Sequence, residues 1–348
     1  MEGDIIMKAA VLTDWEKIEV KDVAKPEIDD GECLIKVSYA GVCGSDVHIY
    51  GGHHPTAQAP VILGHEFVGI VKEIKDSSCD IKVGDRVVVE PLISCGICEA
   101  CREGNWHVCK ELKLLGIHSN GGFAEYVKVS VDKVIKTSKN LTDHAAALTE
   151  PFAVGFHVNQ RAGMKNGDKV LVIGAGPIGL IVGMVAKISG ASEVVFSEIN
   201  LDRIKQIKSF AFENVINPKE GDEIAKANEI TNNQGFDVVY EVSGTEAGLS
   251  LAAQACRIRG TIVPVGFPNG IPKFDMLKVI FKELNIVGSR VYSFDHFRKT
   301  VDMLDKIVKN ELFDLEKLVS EIYQIEDLEK AIKVMQEGKN LGKILIEC

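Results

Sequence analysis

Residues 169–188 read KVLVIGAGPIGLIVGMVAKI, and this stretch decides the fold. It has the pattern of a short apolar strand, a glycine-rich turn and an apolar helix in direct succession. Gly174, Gly176 and Gly179 form a G-x-G-x-x-G turn between the two. Such glycines permit a tight turn, close approach of the backbone to a pyrophosphate, and close packing of helix on strand. The segment therefore predicts a dinucleotide-binding turn.

The chain around this turn alternates between strand and helix patterns from about residue 166 onward. Apolar strands are predicted at 169–173, 193–197, 214–216, 237–242, 261–265 and 285–287. Alternation of this kind is typical of an α/β fold with a doubly wound parallel sheet and helices on both faces.

The end of the second predicted strand indicates which dinucleotide binds. Glu198 lies there, and a carboxylate in that place can accept hydrogen bonds from ribose hydroxyls and would repel a 2′-phosphate. NAD is therefore favoured over NADP, although Arg203 nearby could weaken the preference. Arg290 follows the last strand, where it contacts the cofactor or a substrate carboxylate, or is an ordinary surface arginine. The predicted cofactor contacts are Gly174, Gly176, Pro177, Ile178, Gly179, Glu198, Arg203, Val265, Ser289 and Arg290.

A second motif precedes the α/β region. Cys95, Cys98, Cys101 and Cys109 are spaced so that four thiolates can converge on one tetrahedral zinc ion. Four sulfur ligands leave no position for a substrate, so the motif predicts a structural zinc. The chain has nine cysteines and shows no secretory signal pattern. This combination favours reduced thiols and a cytoplasmic location.

Length and charge exclude other classes. The 348 residues exceed the roughly 250–300 at which single cores stop growing, so two domains are expected. The net charge of −10 argues against a nucleic-acid partner. The uncharged stretch 170–186 is shorter than the about 20 residues of a membrane span and is interrupted by glycines and a proline, so no membrane insertion is expected.

Residues 1–150 read mostly as strands and turns. Asn120 and Gly121 lie between the apolar stretches 112–118 and 123–129, which predicts a β-hairpin there. After Ser293 the chain has helical patterns and ends in a short strand, KILIEC.

Several dispersed motifs add a family resemblance that covers essentially the whole chain. They are GVCGSDVH at 41–48, GHE at 64–66, the four cysteines, GGFAEYV at 121–127, Glu150-Pro151 and the glycine turn. In this order they resemble the zinc-dependent medium-chain dehydrogenases, and among these the polyol (sorbitol and butanediol) and threonine dehydrogenase branch. The resemblance implies a Rossmann NAD-binding domain at 151–290. It also implies a GroES-like β-rich catalytic domain at 1–150 and 291–348, with a structural zinc lobe at about 90–112.

The resemblance also implies a catalytic zinc site and a second zinc ion per chain. Cys43 and His65 would bind the catalytic zinc, while Glu66 and Glu150 would complete or flank its shell. Which glutamate binds directly is left open by the sequence.

Three further residues take roles by the same resemblance. Ser45 would accept the proton of the alcohol, His48 would pass it towards solvent, and Asp46 would support His65. The implied activity is hydride transfer between NAD and a secondary alcohol, such as a polyol, vicinal diol or sugar acid. An L-threonine dehydrogenase is the alternative, and a non-enzymatic regulatory protein on the same fold is a further one. A homodimer or homotetramer is expected.

Overall fold

The computed structural model describes residues 6–76, 79–268 and 270–348. Contacts between residues divide the chain into two units, Met1–Glu150 with Ser293–Cys348 (the first unit) and Pro151–Tyr292 (the second unit). The strands are β1 (Ile6–Asp14), β2 (Lys17–Ala24), β3 (Glu32–Gly41), β4 (Val61–Ile62), β5 (Glu66–Ile74), β6 (Arg86–Val89), β7 (Leu92–Ile93), β8 (Lys113–Leu114), β9 (Tyr126–Ser130), β10 (Val134–Lys136), β11 (Lys169–Ile173), β12 (Glu193–Ser197), β13 (Val215–Ile216), β14 (Phe236–Glu241), β15 (Cys256–Pro264), β16 (Asn285–Ile286), β17 (Val319–Gln324) and β18 (Lys343–Glu347). The helices are α1 (Gly44–Tyr50), α2 (Glu99–Arg102), α3 (Asp143–Ala147), α4 (Thr149–Ala162), α5 (Pro177–Ile188), α6 (Leu201–Ser209), α7 (Glu223–Ile230), α8 (Glu246–Ala255), α9 (Met276–Lys282), α10 (Phe294–Lys309) and α11 (Leu328–Gln336).

The first unit is built mainly from β-strands. Its largest sheet has the order β10-β6-β5-β3-β18-β17, and β9 also pairs with β3. A second sheet has the order β2-β1-β4. Strand β3 is central and mostly buried, because apolar side chains such as Cys33, Ile35 and Val37 pack into the main core of this unit. Since β18 pairs with β3, the end of the chain lies directly beside the middle of this sheet.

The second unit contains a six-stranded parallel sheet of order β13-β12-β11-β14-β15-β16. The predicted doubly wound parallel sheet is therefore confirmed. Strands β11 and β12 have the predicted bounds, because their apolar runs are buried between helices. The order of strands reverses between β11 and β14, and ligands of such sheets bind outside the carboxyl ends of the strands at that point.

The hairpin predicted at Asn120 and Gly121 is wrong. Strand β8 pairs with β7, and β9 pairs with β3, so the two flanking stretches do not pair with each other. Residues 121–123 instead donate backbone hydrogen bonds to the carbonyls of residues 62–64. Gly121 is needed because two backbone segments pack closely here, and not because the chain turns. A Cβ atom at this position would lie 2.1 Å from the Gly64 carbonyl oxygen.

Within the described part of the chain, no helix combines the length and the apolar composition that crossing a membrane requires.

Candidate metal centre and dinucleotide site

The candidate metal centre lies in the first unit, where β3 pairs with β5. The register places Gly41 opposite Glu66. Cys43 follows β3 and is the N-cap residue of α1, while His65 directly precedes β5. A Cβ atom at position 41 would lie 2.4 Å from Glu66 Oε2, so glycine leaves room for this carboxylate. The two motifs are thus brought together by strand register.

Three possible ligands meet at this point. One ligand atom each of Cys43, His65 and Glu66 lies within 4.8 Å of the other two. His65 and Glu66 are almost fully buried, at 3% and 1% exposure. A thiolate, an imidazole and a carboxylate form a donor set that suits zinc, and three protein ligands leave a position open for a substrate. The residues therefore fit a catalytic zinc ion.

Asp46 lies beside both the cysteine and the histidine. Its Oδ2 accepts a hydrogen bond from the Cys43 backbone N–H (2.8 Å), and its Oδ1 lies 3.8 Å from His65 Nδ1. Asp46 Oδ1 and His65 Nδ1 are buried and have no hydrogen-bond partner among the described residues. His65 Nε2 faces Ser45 Oγ at 3.4 Å. An imidazole that binds a metal usually donates its other N–H to a carboxylate, and this geometry suits metal binding through Nε2.

Acidic groups surround the imidazole of His65. Burial raises the pKa of Asp46, and the neighbouring His65 opposes this effect. Burial alone would lower the pKa of His65, but the hydrogen bond and charge of Cys43, together with Asp46 and Glu150, raise it well above the ordinary value. The acidic groups around the imidazole thus favour its positively charged form, and a bound cation would be favoured in the same way.

Lys343 is a residue of this centre that the sequence motifs did not reveal. Its Nζ lies 2.8 Å and 2.5 Å from the two carboxylate oxygens of Glu66, and it donates to the Val42 carbonyl at 2.8 Å. Lys343 and Glu66 are both buried. The only local signal is a lysine at the start of a strand whose next three residues are apolar, and nothing in that signal specifies Glu66 as the partner.

Glu150 is buried near this centre but is not part of the close ligand group. It lies in the first turn of α4 and is 7% exposed. Its charge contributes to the raised pKa values of His65 and Lys343. The structure thus brings Cys43, His65 and Glu66 into ligand distance of each other and keeps Glu150 in the surroundings.

Ser45 and His48 lie one turn apart on α1, so both are on the same side of this helix. Ser45 is half-buried and next to His65, whereas His48 is exposed. The two side chains are therefore arranged from the buried centre towards water.

The four cysteines predicted to bind structural zinc also come together. Their Sγ atoms lie within 4.8 Å of one another, with 3.4 Å between Cys98 and Cys101, 4.0 Å between Cys95 and Cys101, and 3.9 Å between Cys98 and Cys109. Four sulfurs around zinc at about 2.3 Å are about 3.8 Å apart. Backbone N–H groups of Cys95 and Glu111 donate to Cys109 Sγ, which favours its thiolate. The cluster fits a closed tetrahedral zinc site.

In the second unit, the glycine turn follows β11 and leads into α5. Gly174 has a φ of +89°, and a Cβ atom on Gly179 would lie 2.0 Å from the Gly174 carbonyl oxygen. Gly176 differs, because a Cβ atom there would have only Arg203 Nη1, at 3.9 Å, within 4 Å. The fold itself therefore requires Gly174 and Gly179, whereas Gly176 leaves open space over the start of α5. Pro177 and Ile178 form the first turn of this helix. This space fits a pyrophosphate at a helix N-terminus.

Glu198 reaches back to this turn. Its Oε2 accepts a hydrogen bond from the Ala175 N–H (2.8 Å), and its Oε1 accepts from the N–H groups of Ile199 (2.8 Å) and Asn200 (2.9 Å). The carboxylate is buried, at 5% exposure. Three backbone donors therefore hold it at the glycine turn.

The remaining predicted cofactor contacts lie after the ends of β15 and β16. Val265 follows β15 and donates its N–H to the Glu241 carbonyl (2.7 Å). Ser289 is half-buried and Arg290 is exposed.

Sequence reasoning missed Glu241, whose buried carboxylate accepts from the N–H groups of Ser243 and Gly244 and so fixes the loop after β14.

Comparison with known proteins places the chain in a well-populated group. Residues 29–139 match the alcohol dehydrogenase GroES-like domain, and residues 177–306 match the zinc-binding dehydrogenase family. A sorbitol dehydrogenase of Bacillus subtilis (strain 168) is 33% identical over 96% of this chain and 95% of that protein. An L-threonine 3-dehydrogenase of Escherichia fergusonii is 33% identical over 95% of this chain and 96% of that protein. A crystal structure assigned as a zinc-binding dehydrogenase from Sinorhizobium meliloti 1021, bound to NADP, is 30% identical, with a TM-score of 0.89 and coverage of 99% of each chain.

Proposed function

The chain belongs to the zinc-dependent medium-chain dehydrogenases, oxidoreductases that act on CH–OH groups, and on this premise we propose that it is an NAD-dependent polyol or sugar-acid dehydrogenase. The observation that carries the proposal is the buried group of Cys43, His65 and Glu66, in which three different zinc donors lie within 4.8 Å of one another. A regulatory protein would not need such a group with an open position beside it.

Cys43, His65 and Glu66 would hold the catalytic zinc directly, and Glu150 would flank it. Glu66 is favoured over Glu150 because it belongs to the close ligand group. Its pairing with Lys343 does not prevent this, since a carboxylate has lone pairs for both partners and ligating carboxylates are commonly hydrogen-bonded. A zinc ion bound here would acidify an alcohol and polarise the corresponding carbonyl group. Lys343 fixes the orientation of Glu66 and balances part of its charge.

Proton movement would follow α1. Ser45 Oγ lies 3.4 Å from His65 Nε2, at the side of the imidazole that faces the ligand group. A hydroxyl at this place can accept the proton of an alcohol as it is oxidised and donate its own proton onward. His48, exposed on the same side of the helix, can exchange that proton with water.

The second unit would bind the dinucleotide, which accepts the hydride. Backbone N–H groups at the start of α5 would face the pyrophosphate above Gly176. Glu198 would accept hydrogen bonds from the ribose and disfavour a 2′-phosphate. We therefore propose NAD, with Arg203 near the phosphates and with Val265, Ser289 and Arg290 near the other end of the cofactor. The Cys95, Cys98, Cys101 and Cys109 cluster would hold a second, structural zinc ion.

A substrate panel tests this function. Purified protein with a measured zinc content is supplied with alditols, vicinal diols, aldonates or L-threonine, and with NAD or NADP, and the reduced cofactor is followed at 340 nm. We expect oxidation of a hydroxylated chain with NAD and a lower kcat/KM with NADP. Exclusive oxidation of L-threonine would support the alternative activity, which the Escherichia fergusonii relative favours. Absence of turnover with every alcohol in zinc-loaded protein would contradict the proposal.

Two further properties belong to the proposal. The protein would act in the cytoplasm on a small-molecule alcohol, as a homodimer or homotetramer. Sedimentation velocity at micromolar concentration measures the second property directly, and a purely monomeric species would contradict it.

A further inference from the structure

Two histidines outside the metal centre are held side by side in the first unit. His54 lies in the loop after α1, and His118 lies in the segment before Gly121. Their ring centroids are 6.1 Å apart, and the Thr56 hydroxyl lies 2.9 Å from His118 Nε2. We call His54, Thr56 and His118 the histidine rim. Both histidines are half-buried and Thr56 is exposed, so the rim is open to a ligand.

The backbone fixes the tautomer of both rings. His54 Nδ1 accepts a hydrogen bond from the Ala57 N–H (3.1 Å), and His118 Nδ1 accepts one from the Leu114 N–H (3.0 Å). A nitrogen that accepts carries no proton, so in each neutral ring the proton is on Nε2. Protonation of Nδ1 would break the contact with the backbone donor. Burial also lowers the pKa of both histidines, with further contributions from His48 at His54 and Lys113 at His118.

As a consequence, the outer side of the rim offers mainly donors. His118 Nε2–H points to Thr56 Oγ1, so the threonine hydroxyl accepts there, and its own hydrogen faces His54 Nδ1 at 3.5 Å, from where it can turn to a ligand. His54 Nε2–H has no hydrogen-bond partner within the described ranges of the chain. The acceptor atoms of the rim, in contrast, are occupied by groups of the protein. A ligand hydroxyl both donates and accepts, whereas a carboxylate only accepts, so the carboxylate matches this surface better.

The rim is also fixed relative to the metal centre. The segment that follows His118 hydrogen-bonds to residues 62–64, which directly precede His65. A Cβ atom on Gly116 would lie 2.3 Å from the Gly64 carbonyl oxygen, so the two segments touch through glycine backbone. His54 follows α1, the helix that carries Ser45. Both sides of the rim are therefore continuous with segments that carry proposed catalytic residues.

We propose that His54, Thr56 and His118 bind a carboxylate at the far end of the alcohol substrate, which makes aldonates the preferred substrates over the corresponding alditols. This inference rests on the proposed function and selects one substrate class within it. The neutral His54 ring donates to the carboxylate directly, His118 holds the Thr56 hydroxyl in place to do the same, and the nearby Lys113 adds positive charge. A phosphate ester has the same acceptor-only chemistry, and the experiment separates the two groups.

The experiment uses zinc-loaded protein and asparagine substitutions. An asparagine Oδ1 can take the place of the histidine Nδ1 as acceptor, while the Nε2 donor is lost. The variants are His54→Asn, His118→Asn and the double substitution. The matched control is His53→Asn, because His53 is an exposed histidine of the same loop whose side chain makes no hydrogen bond among the described residues. For each protein, kcat/KM is measured with gluconate and with sorbitol, and binding of gluconate and inorganic phosphate is measured by calorimetry.

We expect the ratio of kcat/KM for gluconate to that for sorbitol to fall about ten-fold in His54→Asn, which loses a ligand donor, and also in His118→Asn, which loses the group that holds the Thr56 hydroxyl in place, because hydrogen bonds to charged groups contribute about 1.5–3 kcal/mol. Sorbitol turnover and the control would stay within about two-fold of wild type. Calorimetry would show weaker gluconate binding in the same variants.

An unchanged ratio in the double variant would overturn the inference, as would unchanged gluconate binding. Tighter binding of phosphate than of gluconate, lost in the same variants, would replace the carboxylate by a phosphate ester and also overturn it. If wild-type protein oxidised no alcohol, the proposed function would fail, and gluconate binding would still decide the role of the histidine rim.

Discussion

The pair of Lys343 and Glu66 allows the sharpest test of the metal centre. Lys343→Met keeps a side chain of similar length and removes the charge. Glu66, which is 1% exposed, would then be a buried carboxylate without its cation. Removing one partner of a buried ion pair costs about 3–5 kcal/mol, which corresponds to an increase of about 150-fold to 4,000-fold in the unfolding constant. We expect the free energy of unfolding of zinc-free protein to fall by this amount.

Tryptophan fluorescence during urea unfolding measures this decrease in stability in the first unit, which contains the metal centre. The chain has two tryptophans, Trp15 and Trp106, and both belong to the first unit. A double-mutant cycle with Glu66→Gln isolates the pair, and we expect a coupling free energy well above the about 0.5 kcal/mol of independent sites. Lys343→Arg keeps the charge and serves as the control.

Zinc loading sharpens the test further. If Glu66 binds the catalytic zinc, the ion offsets the charge that Lys343→Met leaves behind, so the loss of stability becomes smaller in zinc-loaded protein. The same loss with and without zinc would refute direct ligation by Glu66. Additive effects in the cycle would refute the ion pair itself.

Other predictions concern the glycine turn and the cysteine cluster. Gly176→Ala should raise KM for NAD at least ten-fold and change the melting temperature little, because its Cβ atom meets open space. Gly179→Ala should lower both stability and NAD affinity, because its Cβ atom would lie 2.0 Å from the Gly174 carbonyl oxygen; equal melting temperatures of the two variants would contradict this. Cys98→Ser should lower the zinc content from two ions to one per chain and destabilise the first unit, and an unchanged zinc content would contradict the closed site. In zinc-free protein, backbone hydrogen bonds at Lys110 and Cys101 lower the pKa of Cys98 from the ordinary 9.0 to about 6. Alkylation by iodoacetamide, located by peptide mass mapping, should therefore reach half its maximal rate near pH 6 at Cys98, whereas a midpoint near pH 9 would be inconsistent with that shift.

Local patterns in the sequence were sufficient for much of the fold. Strand β11 and the glycine turn were predictable because apolar composition, turn glycines and the following helix agree over a single continuous segment. The family resemblance is confirmed, and it rested on motifs whose order along the chain is itself informative.

Long-range pairing set the limit of prediction. Lys343 and Glu66 are 277 residues apart, and they come together only because β18 and β5 both pair with β3. The Asn120 and Gly121 pair looked like a hairpin turn because a short segment does not reveal that Gly121 packs against Gly64. His118 was missed for the same reason, since its partners Thr56 and His54 lie in another loop.

The central claim is that Cys43, His65 and Glu66 hold the zinc ion of an NAD-dependent alcohol dehydrogenase. The most direct measurement is NADH formation from the alditol and aldonate panel. The same protein preparation is assayed three times: with two zinc ions per chain, after a chelator has removed the zinc, and after zinc has been restored. We predict turnover in the loaded protein, loss on removal and recovery on restoration. Undiminished turnover in protein shown by metal analysis to be free of zinc would contradict the claim.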